Sequence, residues 1–160
     1  GITDVAFLLA DSIPFSELKA ELLGVEPLVV IANPANPLAK QTSVCSSDLI
    51  NQTIILPKHD CSYKMTFQQI LTEAKINPVT FIELNSVESI KRCVIKGLGV
   101  AMMPLMAVKA ELNQKEVVCL PWPQEELESG ILMIWHKGKW ISPATKSFMD
   151  SVRSFFNSRD

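Results

Sequence analysis

Short apolar runs alternate with segments of helical period along most of this chain, and that alternation limits the fold more than any other feature. The runs have strand length and are bounded by proline, glycine, asparagine or charged residues. They cover residues 4–10, 27–32, 53–56, 79–84, 99–103, 117–120 and 131–135. Strands that alternate with helices are typical of α/β domains, so the sequence predicts an α/β fold with a mainly parallel sheet.

Helical spacing of apolar residues marks the segments between these runs. The predicted helices cover residues 63–75, 87–98, 104–113 and a last segment from residue 143. Asn85 and Glu88 are spaced as a capping box, because each side chain can reach the backbone amide of the other. Gly97 suits the left-handed residue that ends a helix, and Pro104 suits a first helical turn.

The last helix has the clearest start signal in the chain. Ser142 is a good N-cap, and Pro143 fits the first helical position. We expect its buried stripe to consist of Phe148, Val152, Phe155 and Phe156. Residues 18–23 are ambiguous, since their pattern fits either a strand or a helix.

Composition excludes several classes of protein. The chain has 160 residues, of which 48% are hydrophobic and 20% charged, as in globular domains. Its longest apolar run, residues 98–108, is shorter than the roughly 18 residues that a membrane span needs. A net charge of −2 argues against direct binding of a nucleic-acid backbone. Because the chain starts at Gly1, in an apolar context and without a signal peptide, we expect an N-terminally truncated cytoplasmic protein.

The residues that usually carry metal or catalytic chemistry are sparse and scattered. The cysteines form no Cys-x-x-Cys pair, and the two histidines do not complete a zinc spacing. These residues are Cys45, Cys61, Cys93, Cys119, His59 and His136. No serine lies in the context of a nucleophile elbow, and Gly97 and Gly99 lie at a helix end, where they cannot form a phosphate loop. We therefore expect reduced thiols, no metal or cofactor, and no enzymatic activity.

Two loops that precede helices are the strongest candidates for a binding site. They are residues 57–62 and 84–87, each following a predicted strand. In α/β sheets, ligands bind beyond the carboxyl ends of the strands, where helix N-termini present unpaired amides. If the two strands are neighbours, both helix ends converge and favour an anion.

Polar side chains cluster in both loops. Ser62 and Tyr63 offer hydroxyl groups, and Lys64 offers a charge. The alternative is an ordinary helix cap followed by a solvated lysine, and His59 is equally consistent with a solvated loop residue. One of Asn85 and Ser86 must cap the second helix and the other is free for a ligand, but the sequence does not say which.

At this point the residues resemble a known family. Residues 88–104, Glu-Ser-Ile-Lys-Arg-Cys-Val-Ile-Lys-Gly-Leu-Gly-Val-Ala-Met-Met-Pro, are similar to the regulatory domain of LysR-type transcriptional regulators. Other pieces agree in order and spacing, namely residues 3–6, 26–30, 36–39, 47–49, 107–108 and 111–112 and the closing helix with Pro143 and Phe148. Together they extend over nearly the whole chain.

The resemblance implies a fold like that of type 2 periplasmic binding proteins, with two α/β lobes and a hinge. The first lobe would be residues 1–32 plus 135–160 and would be incomplete, and the second would be residues 33–134. The family's N-terminal winged helix-turn-helix would be absent. An incomplete first lobe should leave Ala6, Leu8 and Ala10 on an open apolar face that promotes association.

The resemblance also implies a function, which is sensing an effector. The chain would bind a small anionic metabolite, most simply a carboxylate, in the cleft between the lobes. It would relay binding by lobe and dimer rearrangement, as a homodimer or tetramer that contacts DNA through the missing domain and no membrane. The residues expected to line the cleft are Lys58, His59, Cys61, Ser62, Tyr63, Lys64, Asn85, Ser86 and Val87.

Two details of the resemblance leave alternatives open. Residues 61–63 are similar to a Cys-Ser-Tyr-Arg pattern of some members, but Lys64 replaces the arginine and lacks its bidentate fork. Cys61 falls near the reactive cysteine of peroxide-sensing members, yet the partner cysteine is missing near Ile70. A solute-binding protein of a transporter and a cysteine-based redox sensor therefore stay as alternatives, with a small α/β enzyme behind them.

Overall fold

A computed structural model of the chain describes residues 3–77, 80–122 and 127–158. Its strands are β1 (Ala6–Leu9), β2 (Leu18–Ala32), β3 (Thr53–Pro57), β4 (Thr80–Leu84), β5 (Ala101–Pro104), β6 (Val118–Cys119) and β7 (Glu128–His136). Its helices are α1 (Ser62–Glu73), α2 (Val87–Ile95), α3 (Leu105–Asn113) and α4 (Pro143–Asn157), with 3₁₀ turns at Pro37–Lys40 and Ser46–Leu49. Each predicted helix and strand is present with shifted ends, although Val79, the first residue of one predicted strand, lies outside the described residues.

The ambiguous residues 18–23 are a strand, and they continue through residues 27–32 as the single 15-residue strand β2. The sequence pattern predicts a strand only for residues 27–32 and does not predict that the two segments are continuous. Pro27 has no amide proton to donate, and it stands where the recorded pairing of β2 with β5 begins, at Leu28 opposite Pro104. Pro27 lies outside the residue pairs that join β2 to β5, so its missing amide proton removes no hydrogen bond from that ladder.

The prediction of a mainly parallel sheet is wrong. β1 pairs with β7, and β2 pairs with β5 and β6, in antiparallel ladders. Parallel pairing joins β3 to β4, and Ile54 of β3 forms a parallel bridge to Val100. The pattern of apolar residues identifies a strand but not its direction, and the long strands β2 and β7 do not follow a crossover helix from their partners.

Contacts within the chain divide it into two compact units. One is discontinuous, Gly1–Glu26 with Ser129–Asp160, and the other is continuous, Pro27–Glu128. The lobe boundaries at Ala32 and Trp135 stay a prediction.

The continuous unit has apolar clusters on both faces of its strands. Ile54 and Leu56 point into one cluster with Phe67 of α1, whereas Ile55 points into the other with Ile90 of α2. Alternate residues of a strand face opposite sides, so α1 and α2 cover opposite faces of β3. This burial of both faces explains the uninterrupted apolar run of β3.

Two glycines shape the segment between α2 and β5. Gly97 has a φ of 73°, which confirms it as the left-handed residue after a helix. A Cβ atom on Gly99 would lie 2.3 Å from the carbonyl oxygen of Thr53. Glycine at residue 99 therefore lets the chain approach β3 closely enough for the Val100 amide to donate to Thr53 O at 2.9 Å.

The discontinuous unit packs α4 near the β1–β7 ladder. Ser142 caps α4 as predicted, accepting a hydrogen bond from the amide of Thr145 at 3.0 Å. The predicted buried stripe is partly wrong, because Phe148 and Phe155 are about half exposed. Met149 is the buried residue of α4. Residues 149, 152 and 156 keep a helical spacing of three and four, which places Phe148 and Phe155 on the flanks.

The open face predicted for the first strand is only partly exposed: Ala6, Leu8 and Ala10 have intermediate exposure. Across the residues described, no helix combines the length and the apolar character that a membrane crossing requires.

Candidate functional site

The parallel pairing of β3 with β4 brings the two predicted loops side by side. Pro57 lies opposite Leu84, and the amide of Lys58 donates to the carbonyl of Leu84 at 2.8 Å. Each strand leads through a short loop into a helix, α1 after β3 and α2 after β4. Both helix N-termini therefore lie at the same edge of the strand pair, as the sequence predicts.

A cavity of about 170 Å³ lies between these loops. Its lining residues are Pro57, Lys58, His59, Cys61, Tyr63, Leu84, Asn85, Ser86 and Val87. Of the residues predicted for the site, Ser62 and Lys64 are not in the lining. Pro57 and Leu84 also line the cavity; they lie in the two predicted loops but were not among the predicted ligand residues, because their side chains are apolar.

Ser86 is the N-cap of α2, and the capping box predicted for Asn85 and Glu88 is wrong. The Oγ of Ser86 accepts from the Ser89 amide at 3.2 Å and lies 2.8 Å from the Ser89 hydroxyl. The Glu88 carboxylate contacts Lys91 instead, at 2.6 Å. Asn85 is exposed in the cavity lining, and its side chain makes no recorded hydrogen bond within residues 3–77, 80–122 and 127–158.

The other loop contributes a neutral donor and a thiol. Cys61 precedes α1 as its N-cap residue, and its side chain accepts no hydrogen bond from the helix amides. Tyr63 is half-buried and hydrogen-bonded to Cys61, and burial is the main reason that the pKa of its hydroxyl lies far above the ordinary value of 10. Tyr63 is therefore protonated at neutral pH and able to donate.

Lys64 is buried, and its ammonium faces carboxylates away from the lining. Its Nζ lies 3.0 Å from Glu83 Oε1 and 3.4 Å from Asp60 Oδ1, and it donates to the carbonyl of Lys58 at 3.4 Å. The hydrogen bond to Glu83 is the largest cause of the raised pKa of Lys64. The sequence left two roles open for Lys64, a solvated lysine or a charge in the cavity lining. Lys64 has neither role, because it is buried and does not line the cavity. Glu83, a lone carboxylate inside an apolar strand, was the available signal.

The cysteines and the possible metal ligands lie apart from one another in the described ranges. All four cysteines are free, with Cys45 and Cys119 exposed and Cys61 and Cys93 partly buried. Within those ranges no three histidine, cysteine or acidic side chains come together in a group able to hold a metal ion. The polar groups near the cavity are the backbone amides of two helix N-termini, the hydroxyls of Tyr63 and Ser86, and the side chains of Lys58, His59 and Asn85, a set that suits an oxygen-rich anion.

Comparison with known proteins gives one consistent result. The family model "LysR substrate binding domain" matches residues 1–157. The regulator YwqM of Bacillus subtilis (strain 168), an uncharacterised HTH-type transcriptional regulator, is 32% identical over 156 residues, which are 98% of this chain and 53% of that protein. YfiE of Escherichia coli (strain K12), with the same description, is 31% identical over 87% of this chain and 47% of its own length. The chain thus spans about half the length of these relatives.

Solved structures agree on the fold. The Synechocystis PCC6803 CcmR regulatory domain in complex with 2-PG matches with a TM-score of 0.87 at 20% identity, over 97% of this chain and 74% of that one. The effector-binding domain of QuiR in complex with shikimate matches with a TM-score of 0.82 at 21% identity, over 97% and 72%. These likenesses confirm the α/β fold class of type 2 periplasmic-binding-protein-like effector domains. The match over residues 1–157 identifies the chain as a member of the LysR substrate-binding domain family.

Proposed function

We propose that this chain is the effector-sensing part of a LysR-type transcription regulator, and that its cavity binds a small anionic metabolite through a carboxylate. One observation carries the proposal: the loops before α1 and α2 line the same 170 Å³ cavity. The ligand residues in this proposal are the residues predicted from the sequence that also line the cavity, namely Lys58, His59, Cys61, Tyr63, Asn85, Ser86 and Val87.

The electrostatics of the cavity favour an anion. The first amides of any α-helix have no acceptor within the helix, and the aligned peptide dipoles give that end a partial positive charge. Here the first turns of α1 and α2 meet at one cavity, so one carboxylate can receive donors from both. Lys58 and the side-chain amide of Asn85 extend the donor set.

Relatives support the same class of function. YwqM and YfiE are described as transcriptional regulators, which favours a regulator over the transport protein considered from sequence. The CcmR domain is titled as a complex with 2-PG and the QuiR domain as a complex with shikimate. Shikimate is a carboxylate, so an effector domain of this fold accommodates the ligand chemistry that we propose.

In the proposed mechanism, effector binding changes the populations of the conformations of the regulator. The change can be only as large as the difference in effector affinity between those conformations. DNA contact would come from a domain outside this chain, and pairing of subunits would pass the change to that domain. The proposed role of the whole protein in regulation therefore depends on the proposed binding of an effector in the cavity.

An NMR titration of the chain with simple carboxylates tests the cavity. We expect butyrate to shift the amide resonances of Tyr63, Val87 and Glu88 in a saturable way. Asn85→Ala should weaken binding by roughly tenfold, which corresponds to the loss of one hydrogen bond to a charged group. Asn113→Ala, at the exposed end of α3, is the matched control and should leave the affinity unchanged. If no carboxylate shifts these resonances, the proposed function is wrong.

A further inference from the structure

We infer that the cavity selects a singly charged carboxylate with a small apolar body, and that Glu83 and Asp60 set this charge selectivity by neutralising Lys64. The inference rests on the proposed function and specifies its ligand class. It comes from three features of the structure: the size of the cavity, the apolar character of its walls, and the ion pairs of Lys64, the buried cation nearest to the cavity.

The size and walls of the cavity limit the body of the ligand. A closed protein cavity of about 150 Å³ holds a molecule of the size of benzene, so the 170 Å³ between the two loops matches a carboxylate with a few carbon atoms. Pro57, Leu84 and Val87 supply apolar side chains to the lining, and the ring of Tyr63 adds to them. A hydroxyl-rich or doubly charged body would lose hydration against these walls without regaining hydrogen bonds.

The nearest buried cation is not available to the ligand. Lys64 lies directly behind the cavity, because its ammonium donates to the carbonyl of Lys58, and Lys58 is in the lining. Its charge is matched by Glu83 at 3.0 Å and Asp60 at 3.4 Å. The three side chains together carry a net charge of −1.

A second negative group on the ligand has no favourable position. The helix amides converge on one carboxylate, and Lys58 is an exposed lysine whose charge is screened by solvent. Among the cavity-lining residues that the structure describes, no lysine or arginine other than Lys58 is found. A further carboxylate that does not reach Lys58 or His59 would lie against the apolar wall or towards Glu83 and Asp60, where it is repelled.

Glu83 is consequently a specificity-determining residue that does not line the cavity. Glu83→Gln keeps the shape of the side chain and removes its charge. The positive charge of Lys64 is then no longer neutralised by residue 83 and attracts anions to the cavity. Asp60→Asn removes the second charge from a side chain that is 84% exposed and therefore carries little risk for folding. Glu73→Gln is the control, since it changes the net charge equally at the far end of α1.

The test compares butyrate, succinate and inorganic phosphate by NMR titration near neutral pH, where succinate is doubly ionised. Butyrate and succinate have the same number of carbons and differ by one carboxylate. We expect butyrate to bind the wild-type chain about tenfold more tightly than succinate or phosphate. Glu83→Gln should raise succinate affinity by about tenfold and change butyrate affinity by less than about threefold, and Asp60→Asn should act in the same direction. Glu73→Gln should change neither ratio.

The outcomes separate the inference from the proposed function. If succinate or phosphate binds the wild-type cavity as tightly as butyrate, the inference is overturned and the anion site stands. The inference is also overturned if neither Glu83→Gln nor Asp60→Asn shifts the ratio of succinate to butyrate affinity while both variants remain folded. If none of the three anions binds, the inference and the proposed function are both wrong.

Discussion

The ammonium of Lys64 lies 3.0 Å from Oε1 of Glu83, and this ion pair joins α1 to β4 across 19 residues of sequence. The Lys64 side chain is 7% exposed and that of Glu83 47% exposed, so the pair reaches from the interior to the surface. The same ammonium donates to the carbonyl of Lys58 in the loop after β3. Lys64 thus contacts the loop after β3 and the end of β4, the two segments that lead into the cavity. Its charge is neutralised by carboxylates that do not line the cavity.

Removing the cap of α2 should lower stability without depending on any ligand. Ser86→Ala deletes the oxygen that accepts from the Ser89 amide, and loss of an N-cap costs about 1 kcal/mol. Urea unfolding followed by circular dichroism should show this loss, and Ser142→Ala at α4 should cost a similar amount. If Ser86→Ala is neutral while Ser142→Ala is not, the assignment of Ser86 as the cap of α2 is wrong.

The sequence revealed the helices, the strands and both loops, because those features depend on local spacing. The period of the apolar residues in α1 and the short run of β3 are visible in any window that contains them. The convergence of the two loops could also be predicted, since it follows from the general geometry of consecutive β–α units. These are the features for which neighbours in sequence are neighbours in space.

Features that depend on distant pairing could not be predicted. The continuity of β2 through Pro27 depends on where its ladder with β5 begins, and the direction of that ladder leaves no trace in the apolar pattern. Lys64 looked like a free charge because its partner Glu83 lies 19 residues away on another strand. The choice between Asn85 and Ser86 depended on which of the two adjacent residues has the extended backbone that precedes α2, and both types cap helices well.

The two carboxylates that contact Lys91 should differ in their contribution to stability. Glu111 lies 2.7 Å from the Lys91 ammonium with 14% of its side chain exposed, whereas Glu88 lies at 2.6 Å with 71% exposed. We expect Glu111→Gln to cost about 1–2 kcal/mol, because a mostly buried ion pair is broken from one side. Glu88→Gln should cost less than about 0.5 kcal/mol, as exposed pairs do. Urea unfolding of both variants measures the difference, and equal losses would contradict this ranking.

Acid should destabilise the chain through carboxylates whose pKa is lowered by folding. The hydrogen bonds from Arg153 are the main cause for Glu21, and the hydrogen bond from Lys91 is the main cause for Glu111. A lowered pKa adds stability that is fully present above the ordinary glutamate value of 4.5 and is lost as pH falls through the lower folded pKa. Thermal unfolding between neutral pH and about pH 3 should therefore show a smaller acid-induced loss for Glu21→Gln than for the wild-type chain. Glu73→Gln, which removes one carboxylate at the exposed end of α1, is the control for the change in net charge.

Gly99 should be the least replaceable glycine of the continuous unit. The reason is that a side chain at residue 99 would collide with backbone atoms, and not that residue 99 has an unusual φ angle. A Cβ at residue 99 would lie 2.3 Å from the Thr53 carbonyl oxygen, and that oxygen accepts the hydrogen bond that joins Val100 to β3. Since backbone cannot rotate away as a side chain can, Gly99→Ala must move the strand and should cost at least about 2 kcal/mol. A Cβ on Gly97 would lie 3.9 Å from the Asn33 side chain, an ordinary contact, so Gly97→Ala costs only the strain of its φ of 73°, about 1 kcal/mol. Gly138→Ala, whose nearest neighbours are at 3.5 Å, is the control and should be nearly neutral. Urea midpoints in the order Gly138→Ala, Gly97→Ala and Gly99→Ala, from highest to lowest, are the expected result, and a Gly99→Ala variant as stable as Gly138→Ala would show that β3 and residue 99 are not in contact.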